Sequence, residues 1–128
     1  MSTKKASELF EKAYNVSCKI FGAENSNSIL TLNYLAHSFY TVKDYKKALE
    51  FYRKLYNVRA QLLGEEHAET LSSLHSYALC HKEIGDYISS LSFFEKVYVS
   101  RVKTLGENDP KTIKTAERIK ELKELLGE

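Results

Sequence analysis

Apolar residues recur along the chain at intervals of three and four, which is the spacing of one face of an α-helix. One such stripe holds Leu32, Leu35 and Phe39, and a second, after a short polar break, holds Tyr52 and Leu55. This spacing differs from the strict alternation of a half-buried strand. The pattern predicts six helices, at about 4–21, 26–41, 45–62, 68–83, 87–104 and 110–126.

The helical pattern repeats with a period of 42 residues, so each period contains two helices. Gly22, Gly64 and Gly106 mark this period. Aromatic residues occupy two equivalent positions before each glycine: Phe10, Tyr52 and Phe94 at the first, and Tyr14, Tyr56 and Tyr98 at the second. A period of a few tens of residues is typical of stacked supersecondary units, which usually present a binding surface.

The predicted helix boundaries carry residues with suitable capping chemistry. A side chain that can accept a hydrogen bond from the first helical turn precedes five of the helices: Asn25, Asp44, His67, Asp86 and Asp109. Pro110 follows Asp109, at a position where a missing N–H costs nothing. The three period glycines are predicted to close their helices in the left-handed conformation.

These positions resemble the motif of the tetratricopeptide repeat family. The match in the first full repeat consists of Leu32, Leu35, Ala36, Phe39, Tyr45, Ala48, Tyr52 and Leu55. The match in the second consists of Leu74, Tyr77, Ala78, His81, Tyr87, Ser90, Phe94 and Val97. The long period and its Leu-Gly connector resemble the repeats of kinesin light chains. The resemblance implies an all-α fold, a right-handed solenoid of antiparallel helix pairs.

The whole chain is predicted to form one repeat domain. Its parts are a half repeat (1–22), two connectors each followed by a full helix pair (23–64 and 65–106) and a closing helix (107–128). In the closing helix, Lys120 and Lys123 occupy positions where an alanine and an aromatic residue would pack. This helix is therefore predicted to be the solvating cap that such arrays need.

Composition excludes several classes of partner. The net charge is only +2, from 19 basic and 17 acidic residues, and gives no footprint for nucleic acid. Charged residues interrupt the first apolar stretch, and no run is long enough for a membrane span, so neither a secretory signal nor a membrane partner is expected. Cys18 and Cys80 form no C-x-x-C pair, which favours reduced thiols in a cytoplasmic protein.

The four histidines do not form a recognisable catalytic or metal-binding motif. His75 and His81 are six residues apart, on different sides of one helix, and His37 could approach His75 from a neighbouring helix without a third ligand. His67 is interpreted as a connector residue and His81 as a packing residue. Each glycine closes a helix rather than opening one, so no phosphate loop is predicted. We expect no metal, no cofactor and no enzymatic activity.

The family resemblance implies that the first helix of each pair lines a concave groove. The groove residues carried over by position are Leu30, Asn33, Tyr34, His37, Tyr40, Ser72, His75, Ser76, Leu79, Lys82, Lys114 and Arg118. Lys114 and Arg118 lie four apart on one helix face and resemble the carboxylate-holding pair of the chaperone-binding branch of the family. An extended peptide with acidic character is expected near them, with Glu117 and Glu121 partly neutralising the pair.

The predicted function is a non-enzymatic interaction module that binds a protein, as a peptide or partner helix, in the groove. The alternative is a fragment of a longer array in a multidomain scaffold or signalling protein. In that case the first helix, which has apolar residues on more than one side, favours self-association. A third alternative, a regulatory subunit with a small-molecule pocket, requires a deep cavity between helices.

Overall fold

The structure, a computed structural model, describes residues 3–128 and consists of six α-helices joined by short turns. The helices are α1 (Thr3–Phe21), α2 (Ser26–Thr41), α3 (Tyr45–Leu63), α4 (Ala68–Ile84), α5 (Tyr87–Leu105) and α6 (Pro110–Leu125). Every predicted helix is confirmed, and each end lies within one residue of its prediction. Each helix packs on its neighbours in the chain, which gives the predicted all-α, right-handed solenoid of antiparallel pairs. The division into a half repeat, two full repeats and a closing helix stays a prediction.

The predicted N-caps are confirmed, because each side chain accepts from a backbone N–H of the first turn. Asn25 and Asp109 each accept at 2.9 Å, Asp86 at 3.1 Å and Asp44 at 3.3 Å. His67 fills the same position through its ring, whose Nδ1 accepts from the Glu69 N–H at 3.1 Å. Five of the six helices thus begin where the sequence placed a hydrogen-bond acceptor.

The backbone at the period glycines differs from the prediction. Gly64 and Gly106 have positive φ angles of 97° and 89°, but their ψ angles of 156° and 162° are extended. The left-handed helical conformation occurs instead at Gly85, with φ 99° and ψ 3°. At these two glycines the backbone is extended, because the connector must cross from the end of α3 or α5 to the start of the next helix pair. Only glycine adopts this region readily.

The core consists of the predicted stripes and lies between successive helices. Its fully buried members include Leu35, Ala48, Leu55, Phe94 and Val97, all at repeat positions. Two arginines, of which Arg101 is buried and Arg59 is half-buried, support the stacking of one pair on the next. The buried Arg101 donates from Nη1 to the Thr115 hydroxyl at 2.9 Å, and Arg59 donates to the Ser73 hydroxyl at the same distance.

A change of Gly64 to valine is expected to lower the free energy of unfolding by about 1–3 kcal/mol, because a side chain is strained at this φ and ψ. Nothing lies within 4 Å of the added Cβ, so the cost comes from the backbone alone. Urea unfolding followed by circular dichroism measures it. Asn108→Val, in the next connector, is the matched control because Asn108 is exposed and has no positive φ. Equal free energies of unfolding for the two variants would contradict the expectation that a side chain is strained at position 64.

Candidate functional site

The predicted groove residues all lie on α2, α4 and α6, and long-range electrostatics indicate that these three helices face a common space. Burial is the main cause that raises the pKa of Tyr40 on α2, while the charge of Arg118 on α6 acts in the opposite direction. Arg118 and Lys114 on α6 also act on His75 of α4. We call this surface of α2, α4 and α6 the candidate groove.

Four of the predicted residues line one open cavity of about 200 Å³. They are His37 and Tyr40 of α2 with Ser76 and Leu79 of α4, and the fifth lining residue is Tyr52 of α3. The repeat pattern predicted only a packing role for Tyr52. A signal was present, because Tyr52 carries a hydroxyl where the equivalent Phe10 and Phe94 carry none.

The hydroxyl of Tyr52 gives the floor of this cavity a polar group. Burial is the largest cause that raises the pKa of Tyr52 to about 12, while the nearby Ser76 acts in the opposite direction. The phenol is therefore neutral at physiological pH and can both donate and accept. Beside it, Tyr40 packs its ring edge-on against Tyr45 at 5.3 Å between centroids. The cavity thus combines an apolar wall, Leu79, with neutral hydroxyl groups.

The other predicted residues of α2 lie further from this cavity. Tyr34 is about half exposed and stacks on Phe10 of α1 with ring centroids 5.8 Å apart. Asn33 is half-buried beside it. Leu30 lines a different cavity, of about 440 Å³, together with Arg59 and the exposed Leu62 and Leu63. The structure therefore does not bring Leu30 together with the His37 to Leu79 cluster.

His75 lies beneath the surface of the groove rather than on it. Only 7% of the residue is exposed, and its ring packs edge-on against Phe94 at 4.8 Å. Burial, aided by the nearby cations Arg101, Arg118 and Lys114, lowers the pKa of His75 to about 3. The ring is neutral at pH 7, and its buried Nε2 has no partner among the described residues. Ser72, which lies three residues before His75 on α4, is half-buried.

The α6 end of the groove carries the charged residues. Glu121 accepts from Lys82 Nζ at 3.1 Å and from Arg118 Nη1 at 3.5 Å, so it offsets part of the charge of Arg118. Its bond to Lys82 is the main cause that lowers the pKa of Glu121. Lys114 is exposed and makes no ion pair with residues 3–128. Part of the positive charge therefore remains available.

The other histidines have structural positions. His67 is the N-cap of α4, and His81 packs between the rings of Tyr77 and Phe93 at 4.7 and 5.5 Å. His81 Nδ1 also lies 3.4 Å from the carboxylate of Asp86. Within residues 3–128, no three histidine, cysteine or acidic side chains stand close enough to hold a metal ion. No helix of that same range has the length and apolar character needed to cross a membrane.

Helix α1 carries a second surface of interest, because one of its sides has no covering helix among the described residues. Leu9, Ala13 and Val16 are exposed there, whereas the equivalent residues Phe51 and Leu55 of α3 are buried. Phe10 and Ser17, on the other side of α1, contact α2. Self-association through α1 stays a prediction.

Comparison with known proteins agrees with this architecture. A family model described as the tetratricopeptide repeat matches residues 27–99, and a search among curated proteins finds no match. A Podosopora anserina protein described as a kinesin light chain with nearly identical TPR-like repeats has a TM-score of 0.87 at 21% identity. The superposition covers 98% of this chain and 59% of that one.

A second solved structure, BtubC (BKLC) from P. vanneervenii, has a TM-score of 0.86 at 21% identity, and covers 98% of this chain and 50% of its own. The chain thus spans between half and three fifths of the length of these two proteins, which are similar to it in fold. The matched repeat model extends over more than half of the residues and coincides with the observed helix pairs. The chain therefore belongs to the tetratricopeptide repeat family.

Proposed function

We propose that the chain is a non-enzymatic interaction module that binds an extended peptide segment of a protein partner in the candidate groove. Repeats of this family are in general protein–protein interaction modules. The observation that carries the proposal is the open cavity in which His37, Tyr40, Tyr52, Ser76 and Leu79 converge. It lies between consecutive first helices, where an extended chain has access to both.

The chemistry of the cavity suits a peptide backbone. Neutral hydroxyl groups from Tyr52 and Ser76 can donate to carbonyls and accept from N–H groups, and Leu79 offers an apolar contact. Such contacts do not depend strongly on the sequence of the peptide. They support a role as an adaptable scaffold surface rather than as a site of chemistry.

The α6 end of the groove favours acidic character in the bound segment. Arg101, Arg118 and Lys114 each lower the pKa of His75, which means that they create a positive potential at this point. Glu121 offsets part of it, but Lys114 has no acidic partner among residues 3–128. A carboxylate placed here gains charge-assisted hydrogen bonds, and its affinity is expected to fall as salt rises.

A charge reversal tests this proposal. The variant Lys114→Glu with Arg118→Glu is expected to bind acidic peptides about tenfold more weakly, since losing charge-assisted hydrogen bonds costs at least about 1.4 kcal/mol. The measurement is isothermal titration against a panel of extended acidic and basic peptides at two salt concentrations. The matched control reverses two exposed lysines of the same helix, Lys120→Glu with Lys123→Glu.

Unchanged affinity in the groove variant, or a preference of the parent for basic peptides, would contradict the acidic specificity while leaving peptide binding intact. Absence of binding to every peptide of the panel would contradict the proposal that the groove binds a peptide. A second arm, Tyr52→Phe, removes only the hydroxyl at the floor and is expected to weaken all bound peptides alike.

We further infer that the protein resides in the cytoplasm. Cys80 is fully buried and unpaired, and burial is the main cause that raises the pKa of its thiol to about 12. Cys18 is half-buried and also free. Two unpaired thiols suit a reducing compartment.

A further inference from the structure

The exposed side of α1 can be compared with the same side of α3 and α5, which the structure shows covered. Leu9 is 46% exposed, while Phe51, its equivalent one period later, is 5% exposed and stacks on Phe39 of α2 at 5.5 Å. Ala13 is exposed, whereas the equivalent Leu55 and Val97 are fully buried. We call Ala6, Leu9, Ala13 and Val16 the α1 face. In α3 and α5, the helix that precedes each in the chain covers these positions.

The covered pair α4–α5 also shows how charges flank this contact. Lys96 of α5 lies 3.9 Å from Glu65, and Lys103 lies 3.1 Å from Glu66. Glu65 and Glu66 form the turn that enters α4, so the lysines of one helix pair with the acidic entry turn of the helix that covers it.

In the other covered pair, α2 and α3, the charged positions of the covered helix and those of the entry turn change together. In α3 the equivalent positions are Lys54 and Gln61, and the turn that enters α2 supplies only one acidic residue, Ala23 being followed by Glu24. All four line one shallow cavity. In α1 the equivalent positions are Lys12 and Lys19, both exposed. Helix α1 therefore has the charge pattern of α5, whose partner enters through two acidic residues.

We propose that the α1 face binds an amphipathic helix of a partner protein that enters through a turn with two acidic residues. The partner helix runs antiparallel to α1, with its acidic turn beside Lys12 and Lys19 and its apolar stripe on Leu9, Ala13 and Val16. The small side chains of Ala6 and Ala13 allow close approach, as the buried Ala48 does where α3 meets α2. This surface is separate from the candidate groove, and the proposal does not depend on the groove.

A second copy of the chain fits this face poorly. Helix α6 would continue the period, but Lys120 stands where Ala36 and Ala78 are fully buried, so an α6–α1 contact would bury a lysine. The turn before α6 offers Asn108 at the position of Glu66. Two α1 helices packed face to face would offer Lys12 and Lys19 no pair of adjacent acidic residues, since Glu8 and Glu11 of α1 are three positions apart.

The test uses the 128-residue chain and a labelled synthetic peptide of residues 61–84, which contains the acidic turn and α4 and therefore has the stated chemistry. Fluorescence anisotropy is expected to show saturable binding. The variant Lys12→Glu with Lys19→Glu is expected to bind about tenfold more weakly, because two attractive pairs become repulsive. A peptide with Glu65→Lys and Glu66→Lys is expected to restore its affinity. The matched control, Lys46→Glu with Arg53→Glu, reverses two exposed charges seven apart on α3 and should change nothing.

Three results would overturn the proposal. The first is absence of saturable binding, or binding that ignores the α1 reversal and is not restored by the swapped peptide. The second is loss of binding in the Lys114→Glu and Arg118→Glu variant instead, which would place the peptide in the groove. The third is a stable dimer in sedimentation that Leu9→Asp dissociates, which would make a second copy the occupant. Far-UV circular dichroism establishes whether each variant is folded. If Leu9→Asp is unfolded, the charge swap between the chain and the peptide still decides between the outcomes.

Discussion

Replacement of Phe94 by alanine is expected to lower the free energy of unfolding by about 3–5 kcal/mol, the range for removing a buried phenylalanine. Phe94 is fully buried and packs with Ala78 of α4 and Leu122 of α6. Its ring also supports His75 from below the groove. The substitution leaves a cavity between α4, α5 and α6. These three helices cannot all move in to fill it, so most of the contacts of the ring are lost. Urea unfolding at pH 7, followed by circular dichroism, measures the change.

The repeat provides a matched control for this substitution. Phe10 is the equivalent residue two periods earlier, but it is only half-buried because α1 lacks a covering helix among the described residues. Phe10→Ala is therefore expected to cost about half as much as Phe94→Ala, since less apolar area returns to water. Equal losses at the two positions would show that another element already covers α1.

The second large effect is a dependence of stability on pH that originates at His75. Its pKa is about 3 in the folded protein, against about 6.5 in an unfolded chain. Between these values the unfolded state binds more protons, so stability falls as the pH decreases from 6.5 toward 3. From pH 7 to pH 5, the loss due to this one residue is expected to be about 2 kcal/mol.

The variant His75→Gln isolates this contribution because the other histidines are present in both proteins. Urea midpoints measured at pH 7 and pH 5 should decrease more in the parent than in the variant. The cations that face His75, namely Arg101, Arg118 and Lys114, keep their charge across this range and do not confuse the comparison. Parallel pH profiles for the two proteins would mean that the imidazole is protonated normally, and therefore that it reaches water.

Much of the fold follows from local chemistry and was predictable. Asp44 and Asp86 precede apolar stripes of helical period, and each caps the helix that follows. The backbone of Gly64 was predicted less well, because an isolated glycine indicates a positive φ but does not fix ψ. The direction in which the connector must leave α3 decides ψ, and that direction depends on where the next helix packs.

The candidate groove was predictable only as a set of positions. The family resemblance placed His37, Tyr40, Ser76 and Leu79 on facing helices, and they do meet in one cavity. It could not show that Tyr52 reaches the same cavity from α3, because an aromatic residue at that position is buried in other repeats. Whether the groove binds a peptide stays a prediction.

The elements of this protein could be predicted from local sequence: six helices, their caps and the period that stacks them. These depend on contacts between residues a few positions apart, and such contacts can be inferred directly from the amino-acid sequence. Packing between helices determines that His75 is buried while the equivalent Asn33 is half-buried, and that Glu121 is shared between Lys82 and Arg118. Packing also determines that Leu9, Ala13 and Val16 of the α1 face are exposed. These properties depend on which side chains converge from separate helices, and the period fixes the positions but not the depth or partners of each residue.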